Sequence, residues 1–213
     1  MNARNASLLL GSFLVLSALN AQANGIVRFD NLGAAPERRI YRGEWVWEND
    51  RAVFISWTAC TGAVYRAALY WGPAGITHDT GMIQVGNSAF FVTGSGAGWF
   101  LGGSRTITTP EAGPVLSFQV RAWEVGLANA QTWDQAIQTH GIAGKGPIFE
   151  LQTKDPANVL EVPPTIGQAA GFRGFIFGAD GVTAILVPEP STIALCSIGL
   201  AALSLFRTTR IRK

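Results

Sequence analysis

Histidine and cysteine are scarce in this chain, two of each among 213 residues. His78 and His140 lie far apart in the chain, and neither has a partner at the i, i+4 spacing by which a helix presents two zinc ligands. Both read as surface side chains, and no metal or other cofactor is expected. Cys196 sits in a C-terminal apolar run and reads as a small apolar residue rather than a lipidation site. Cys60 is then left without an internal partner, so a buried free thiol is expected ahead of an intermolecular bridge. Charge is sparse as well, 14% of residues, and the formal +2 comes from the ends. Arg4 and four tail cations are five of the 16 basic residues and Glu189 is one of the 14 acidic, which leaves 11 basic against 13 acidic over residues 24–187. That balance excludes a basic face for nucleic acid and a polybasic patch for lipid headgroups.

Catalytic motifs are missing too. Gly86 precedes Ser88 but Phe90 follows it, and Gly102 precedes Ser104 but Thr106 follows, so neither serine sits in a G-x-S-x-G elbow. Gly94-Ser95-Gly96-Ala97-Gly98 lacks the helix and lysine of a phosphate cradle and leads into Trp99-Phe100-Leu101, which makes it a turn between strands. No Asp-x-Asp spacing marks a calcium loop, which leaves Asp30, Asp79 and Asp180 at most as single ligands in a turn.

Apolar runs long enough to span a bilayer comfortably, about 20 residues, are also absent. Two shorter ones occupy the ends. Leu8 to Leu19 follows Arg4 and the free amine and precedes Ala21-Gln22-Ala23, the three parts of a secretory signal peptide cut after Ala23. At the other end, Pro188 and Pro190 flank Glu189 and hold the chain extended. Thr192 to Phe206 then runs 15 residues without a charge. As a helix it is roughly 22 Å long against about 30 Å of hydrocarbon, a marginal span. Arg207, Arg210, Arg212 and Lys213 keep its far end in the cytoplasm and the upstream chain outside.

The triplet Pro188-Glu189-Pro190, the apolar helix with Gly199-Leu200-Ala201, and the basic tail together resemble the PEP-CTERM sorting signal of Gram-negative bacteria. The resemblance covers about 27 of 213 residues, and Thr208, Thr209 and Ile211 interrupt its basic tail. It implies export by Sec-type machinery, transient residence in the inner membrane, and processing by an exosortase-type transpeptidase in bacteria that make exopolysaccharide. The expected organisation is a signal peptide over 1–23, an extracytoplasmic domain over 24–187, and a sorting signal over 188–213. That last segment comprises the triplet, a transmembrane helix over 191–206 and a tail over 207–213. The destination is the cell surface or extracellular matrix. An ordinary C-terminal tail anchor is the alternative.

Between the ends, glycines punctuate β-branched and aromatic runs at short intervals, which predicts many short strands. Gly25–Asn31 alternates, and so does Leu116–Val125, with Leu116, Phe118, Val120 and Ala122 on one side and Ser117, Gln119 and Arg121 on the other. The latter pattern predicts a half-buried strand. Tyr65–Trp71 is apolar on both faces apart from Arg66, which predicts a central strand. Phe90–Thr93, Gly98–Leu101, Arg105–Thr108, Gly171–Phe177 and Val182–Val187 complete the set. One helix is expected over Trp133–His140, with Thr132 as N-cap and Gly141 closing it. The fold class is all-β, a single sandwich or jelly-roll-like domain with one short helix. The phrases ALYWGPAG, FFVTGSGAGWFLGGSRTI, FQVRAWE and GKGPIF resemble, more loosely, an ectodomain of other PEP-CTERM proteins, which carries no activity with it.

Three readings of the domain follow. The first is a non-catalytic structural or adhesive module of the envelope or matrix. The second is a carbohydrate-binding sandwich that holds exopolysaccharide on exposed tryptophan. GEWVWENDRAVFISW packs three Trp into 15 residues, and Trp45 and Trp47, two apart, share a face of any strand. Core packing competes with that use, as the commoner fate of Trp in a sandwich. Trp123, out of phase with the apolar side of its strand, is the best candidate for a partly exposed ring. The third reading is a secreted glycan hydrolase. Its acid pair would come from carboxylates such as Glu44, Glu48, Asp50 and Glu124, which nothing in the sequence sets apart from solvated surface residues. The expectation is that the protein is not an enzyme.

Overall fold

A computed structural model describes residues 23–32, 36–48, 51–109, 113–126, 129–139, 141–178 and 184–186. Ala21, the triplet Pro188-Glu189-Pro190, the apolar span and the basic tail of Arg207, Arg210, Arg212 and Lys213 lie outside the described residues. Among the described residues no helix is long and apolar enough to cross a membrane.

The described chain is mostly β-strand with one short helix, and its sheets do not close into a barrel. In order the elements are β1 (Ala23–Asp30), β2 (Tyr41–Glu48), β3 (Arg51–Ala59), β4 (Gly62–Pro73), β5 (Ile83–Gln84), β6 (Ala89–Phe91), β7 (Leu101–Thr109), β8 (Val115–Glu124), α1 (Trp133–Gln138), β9 (Ala143–Lys145), β10 (Phe149–Gln152), β11 (Phe175–Phe177) and β12 (Ala184–Leu186). β1 and β7 form an antiparallel pair. A six-stranded sheet is built on β4 and β8, which pair antiparallel from Tyr65 opposite Glu124 to Pro73 opposite Leu116. A four-stranded sheet has the order β12-β11-β2-β3, with β11 parallel to β2.

One apolar core draws on all three sheets. Val27 and Phe29 of β1, Leu69 of β4, Phe118 and Val120 of β8, and Phe175 and Phe177 of β11 are all buried in it. Each such side chain contributes about 1.5–3 kcal/mol when removed from water. β4 is central, as its two apolar faces predict, with β8 on one side and β5 and β6 on the other. The expected strand at Gly98–Leu101 does not form as a unit. Gly98 turns at φ +85°, Phe100 makes a single bridge to Phe91, and β7 starts at Leu101. The glycine run before it forms one 3-10 turn, Gly94–Gly96. The strand expected over Gly171–Phe177 shortens to Phe175–Phe177.

β8 corrects a second expectation. Leu116, Phe118, Val120 and Ala122 enter the core as their period requires, yet Ser117, Gln119, Arg121 and Trp123 on the other side are buried too. A second layer covers that side: the loop after β4, the connection from β8 to α1, α1 itself and the start of β9 bring Met82, Ala130, Ala136 and Ala143 against Ala68, Tyr70 and Trp123. Trp123 is therefore fully buried, not partly exposed, and its indole Nε1 donates to the Ala130 carbonyl at 3.0 Å. Phase along the strand marked Trp123 as facing away from the main core, and that face is not solvent. α1 begins as predicted, with Thr132 and Gln135 forming a reciprocal capping box. The Gly141 amide closes its end onto Ala136 O at 2.7 Å. His140 lies outside the described residues.

Candidate functional site

The β2–β3 hairpin gathers several aromatic residues, one of them at the surface; the other exposed aromatic among the described residues, Phe90 on β6, lies under the Arg66 guanidinium. Its register runs from Tyr41 opposite Ala59 to Glu48 opposite Arg51, with one shift between Glu44 and Trp45. Gly43 faces Trp57 and Trp45 faces Phe54, so β3 spends one residue more than β2 across that step. Residues three apart on a regular strand point to opposite faces; the bulge changes that phase, and Phe54 and Trp57 come together. Their ring centroids are 5.6 Å apart, and Tyr41 lies 6.3 Å from Trp57 on its other side. Trp57 is 49% exposed. Trp45 and Trp47 occupy the β2 positions paired with Phe54 and Ala52, and their side chains lie outside the described residues.

A cation prolongs this row of rings. Ile40 is fully buried, and in extended backbone the residues on either side of it, Arg39 and Tyr41, leave the chain the other way. Arg39 is held in place through the backbone around it. The Ile40 amide donates to Gly98 O, the Gly174 amide to Glu37 O, and the side-chain Nδ2 of buried Asn31 to Arg38 O. The guanidinium carbon of Arg39 sits 4.5 Å from the Trp99 ring centroid. Gly98 permits this approach, because a Cβ there would come within 2.8 Å of the Arg39 Cβ. Burial raises the Tyr41 hydroxyl pKa, and the Arg39 charge opposes that rise.

Arg42 projects to the opposite side of β2 from Tyr41. Its Nη1 donates to Glu44 Oε1 at 3.1 Å and its Nε stands 3.9 Å from Glu124 Oε2, while Ser56 Oγ donates to Glu44 Oε2 at 3.0 Å. Two carboxylates unconnected in sequence thus flank one guanidinium. The Glu48 side chain and Asp50 lie outside the described residues. Nearby Cys60 is a buried free thiol, as expected. Its pKa is pushed well up, first by burial and then by Glu124, with Arg42 pulling the other way. A thiol held protonated in this way is a poor nucleophile.

The other singled-out residues have structural partners. Asp30 is buried and paired with Arg28 at 3.0 Å. Asp79 accepts from Lys145 at 2.9 Å and lies 3.4 Å from Arg121. The Lys145 hydrogen bond, against some desolvation, holds its carboxyl below the usual range. Asp180 is outside the described residues. Ser88 Oγ accepts from Arg66, Ser104 is exposed on β7, and His78 is exposed beside Asp79. Among the described residues no group of three or more His, Cys, Asp or Glu could hold a metal. Sequence reasoning passed over Phe54, Tyr41, Arg39 and Trp99 because nothing local marks a bulge, and the bulge is what brings Phe54 into the row. Compared with protein-family models, with curated proteins and with solved structures, the chain matches none.

Proposed function

We propose that this chain is an exported envelope or extracellular-matrix protein, delivered by residues 1–23 and sorted through the signal at 188–213. Its domain is a non-catalytic, adhesive β-sandwich that holds polysaccharide on the outer face of the β2–β3 hairpin. The observation that supports the binding role is the half-exposed Trp57 set between Phe54 and Tyr41. Sugar rings present apolar C–H faces edged with hydroxyls, and large flat aromatic side chains lose little rotamer freedom on meeting them. A hydrolase is the weaker reading: Glu44 and Glu124 both lie against Arg42, at 3.1 and 3.9 Å, and are accounted for by its charge.

The binding role is tested with Trp57→Ala in affinity electrophoresis through gels containing polysaccharide. Retardation is expected to fall by about tenfold, the loss of about 1.4 kcal/mol that one stacked ring provides. Unchanged retardation at a tryptophan this exposed would overturn the platform. Sorting is tested in the cell by replacing Pro188, Glu189 and Pro190 with alanine. The expected result is a full-length, membrane-held precursor; continued maturation to the shorter form would remove the triplet as the recognition element.

A further inference from the structure

Two donors without acceptors meet at one end of the aromatic row. Arg39 Nε and Trp99 Nε1 are both buried, and neither has a hydrogen-bond partner among the described residues. The two side chains are stacked on one another, so their unmet N–H groups belong to a single locality. Arg28 is paired with Asp30, Arg42 with Glu44 and Glu124, and Arg121 with Asp79. Arg66 and Arg105 share with Arg39 a buried Nε without a partner and the lack of an ion pair among the described residues, but their terminal nitrogens donate to Ser88 Oγ and to the Ser104 and Asn87 carbonyls. Arg39 makes no such hydrogen bond among the described residues. Leaving a cationic donor half-buried and unmatched is costly, and such donors call for an acceptor from outside. The planar guanidinium suits a carboxylate best, since it offers parallel N–H groups to two oxygens.

We propose that the polysaccharide held by the β2–β3 face is an acidic one, with its sugar faces on Phe54, Trp57 and Tyr41 and its carboxylates met by Arg39 beside Trp99. This rests on the platform reading above and adds the charge of the ligand. A neutral glycan would stack on the same rings and leave the Arg39 charge unpaired.

The test uses the mature exported protein and two polymers with one backbone, alginate and carboxyl-reduced alginate, compared by affinity electrophoresis. Alginate is expected to bind about tenfold more tightly, a preference that shrinks as salt screens the charge. Arg39→Gln is expected to bring the two polymers within about twofold while leaving the neutral one unchanged, and Arg39→Lys to restore part of the preference. Equal binding of both polymers by the native protein, or a preference that survives Arg39→Gln, overturns the acidic ligand and leaves the platform standing. Failure of both polymers to bind, or indifference of both to Trp57→Ala, overturns the platform itself. An urea midpoint for each variant separates loss of binding from loss of fold.

Discussion

Trp123→Ala is expected to lower stability by about 3–5 kcal/mol, a large share of the roughly 5–15 kcal/mol that holds a domain of this kind together. Trp123 is fully buried in the layer between the six-stranded sheet and α1, against Ala68, Tyr70, Met82, Ala130, Ala136 and Ala143. Four of those six neighbours are alanines, which have no side-chain freedom with which to fill the space an indole vacates, so the cavity persists. The substitution also strips the Ala130 carbonyl of its 3.0 Å donor. Trp123→Phe keeps most of the volume and loses the donor, and should cost less, about 1–3 kcal/mol. Urea unfolding reads both: the midpoint should fall with little change in slope. A midpoint for Trp123→Ala within experimental error of the native protein would mean that α1 does not pack on β8 as described.

The second large effect is expected at Arg121, whose side chain is 7% exposed. Its guanidinium lies 3.9 Å from the Tyr70 ring centroid and 4.8 Å from that of Trp133, between strand and helix. Nε donates to Gln119 Oε1 at 2.9 Å, and Gln119 in turn donates to Gly146 O at 3.0 Å. Nη2 reaches both the backbone and the carboxylate oxygen of Asp79. Arg121→Ala removes the stack and leaves Gln119 with an unmatched acceptor, so a loss of about 2–4 kcal/mol is expected. Arg121→Met, which keeps the stem's volume without burying a charge, should lose less. If alanine and methionine are equally harmful, packing volume is not what separates them.

The same cluster sets an acid limit. Asp79 is held below its ordinary pKa by the Lys145 hydrogen bond, so its contribution is present above the unfolded carboxyl value of about 3.9 and is lost as pH falls through the lower folded value. Asp79→Asn should therefore destabilise at neutral pH and flatten the decline below about pH 4. A decline as steep as the native one in that variant would assign acid sensitivity to other carboxylates.

Elements whose cause is local were legible in the sequence. The N-cap at Thr132, the alternation of β8, and the doubly apolar β4 each rest on residues within a few positions of one another, and each stands where it was expected. Elements whose cause is distant were not. β8 was read as half-buried because period two reports which side chains share a face and is silent on what lies over that face. The cover is α1, which begins nine residues after β8 ends, and the loop after β4, more than thirty residues before β8 begins. Gln119 and Arg121 looked solvated because their types are usually so, and they are buried because they satisfy one another and Gly146.

The surface row was hidden for the same reason. Composition alone gives residues 24–187 eleven basic against thirteen acidic side chains and a single cysteine, Cys60, so a disulfide within that segment has no second thiol. Only the tertiary structure decided that Trp57 stays at the surface while Trp123 does not, and that Phe54, three residues from Trp57, stands beside it. A bulge and a covering helix made those decisions, and both depend on which strand lies next to which, a matter of global packing that no short stretch of residues encodes.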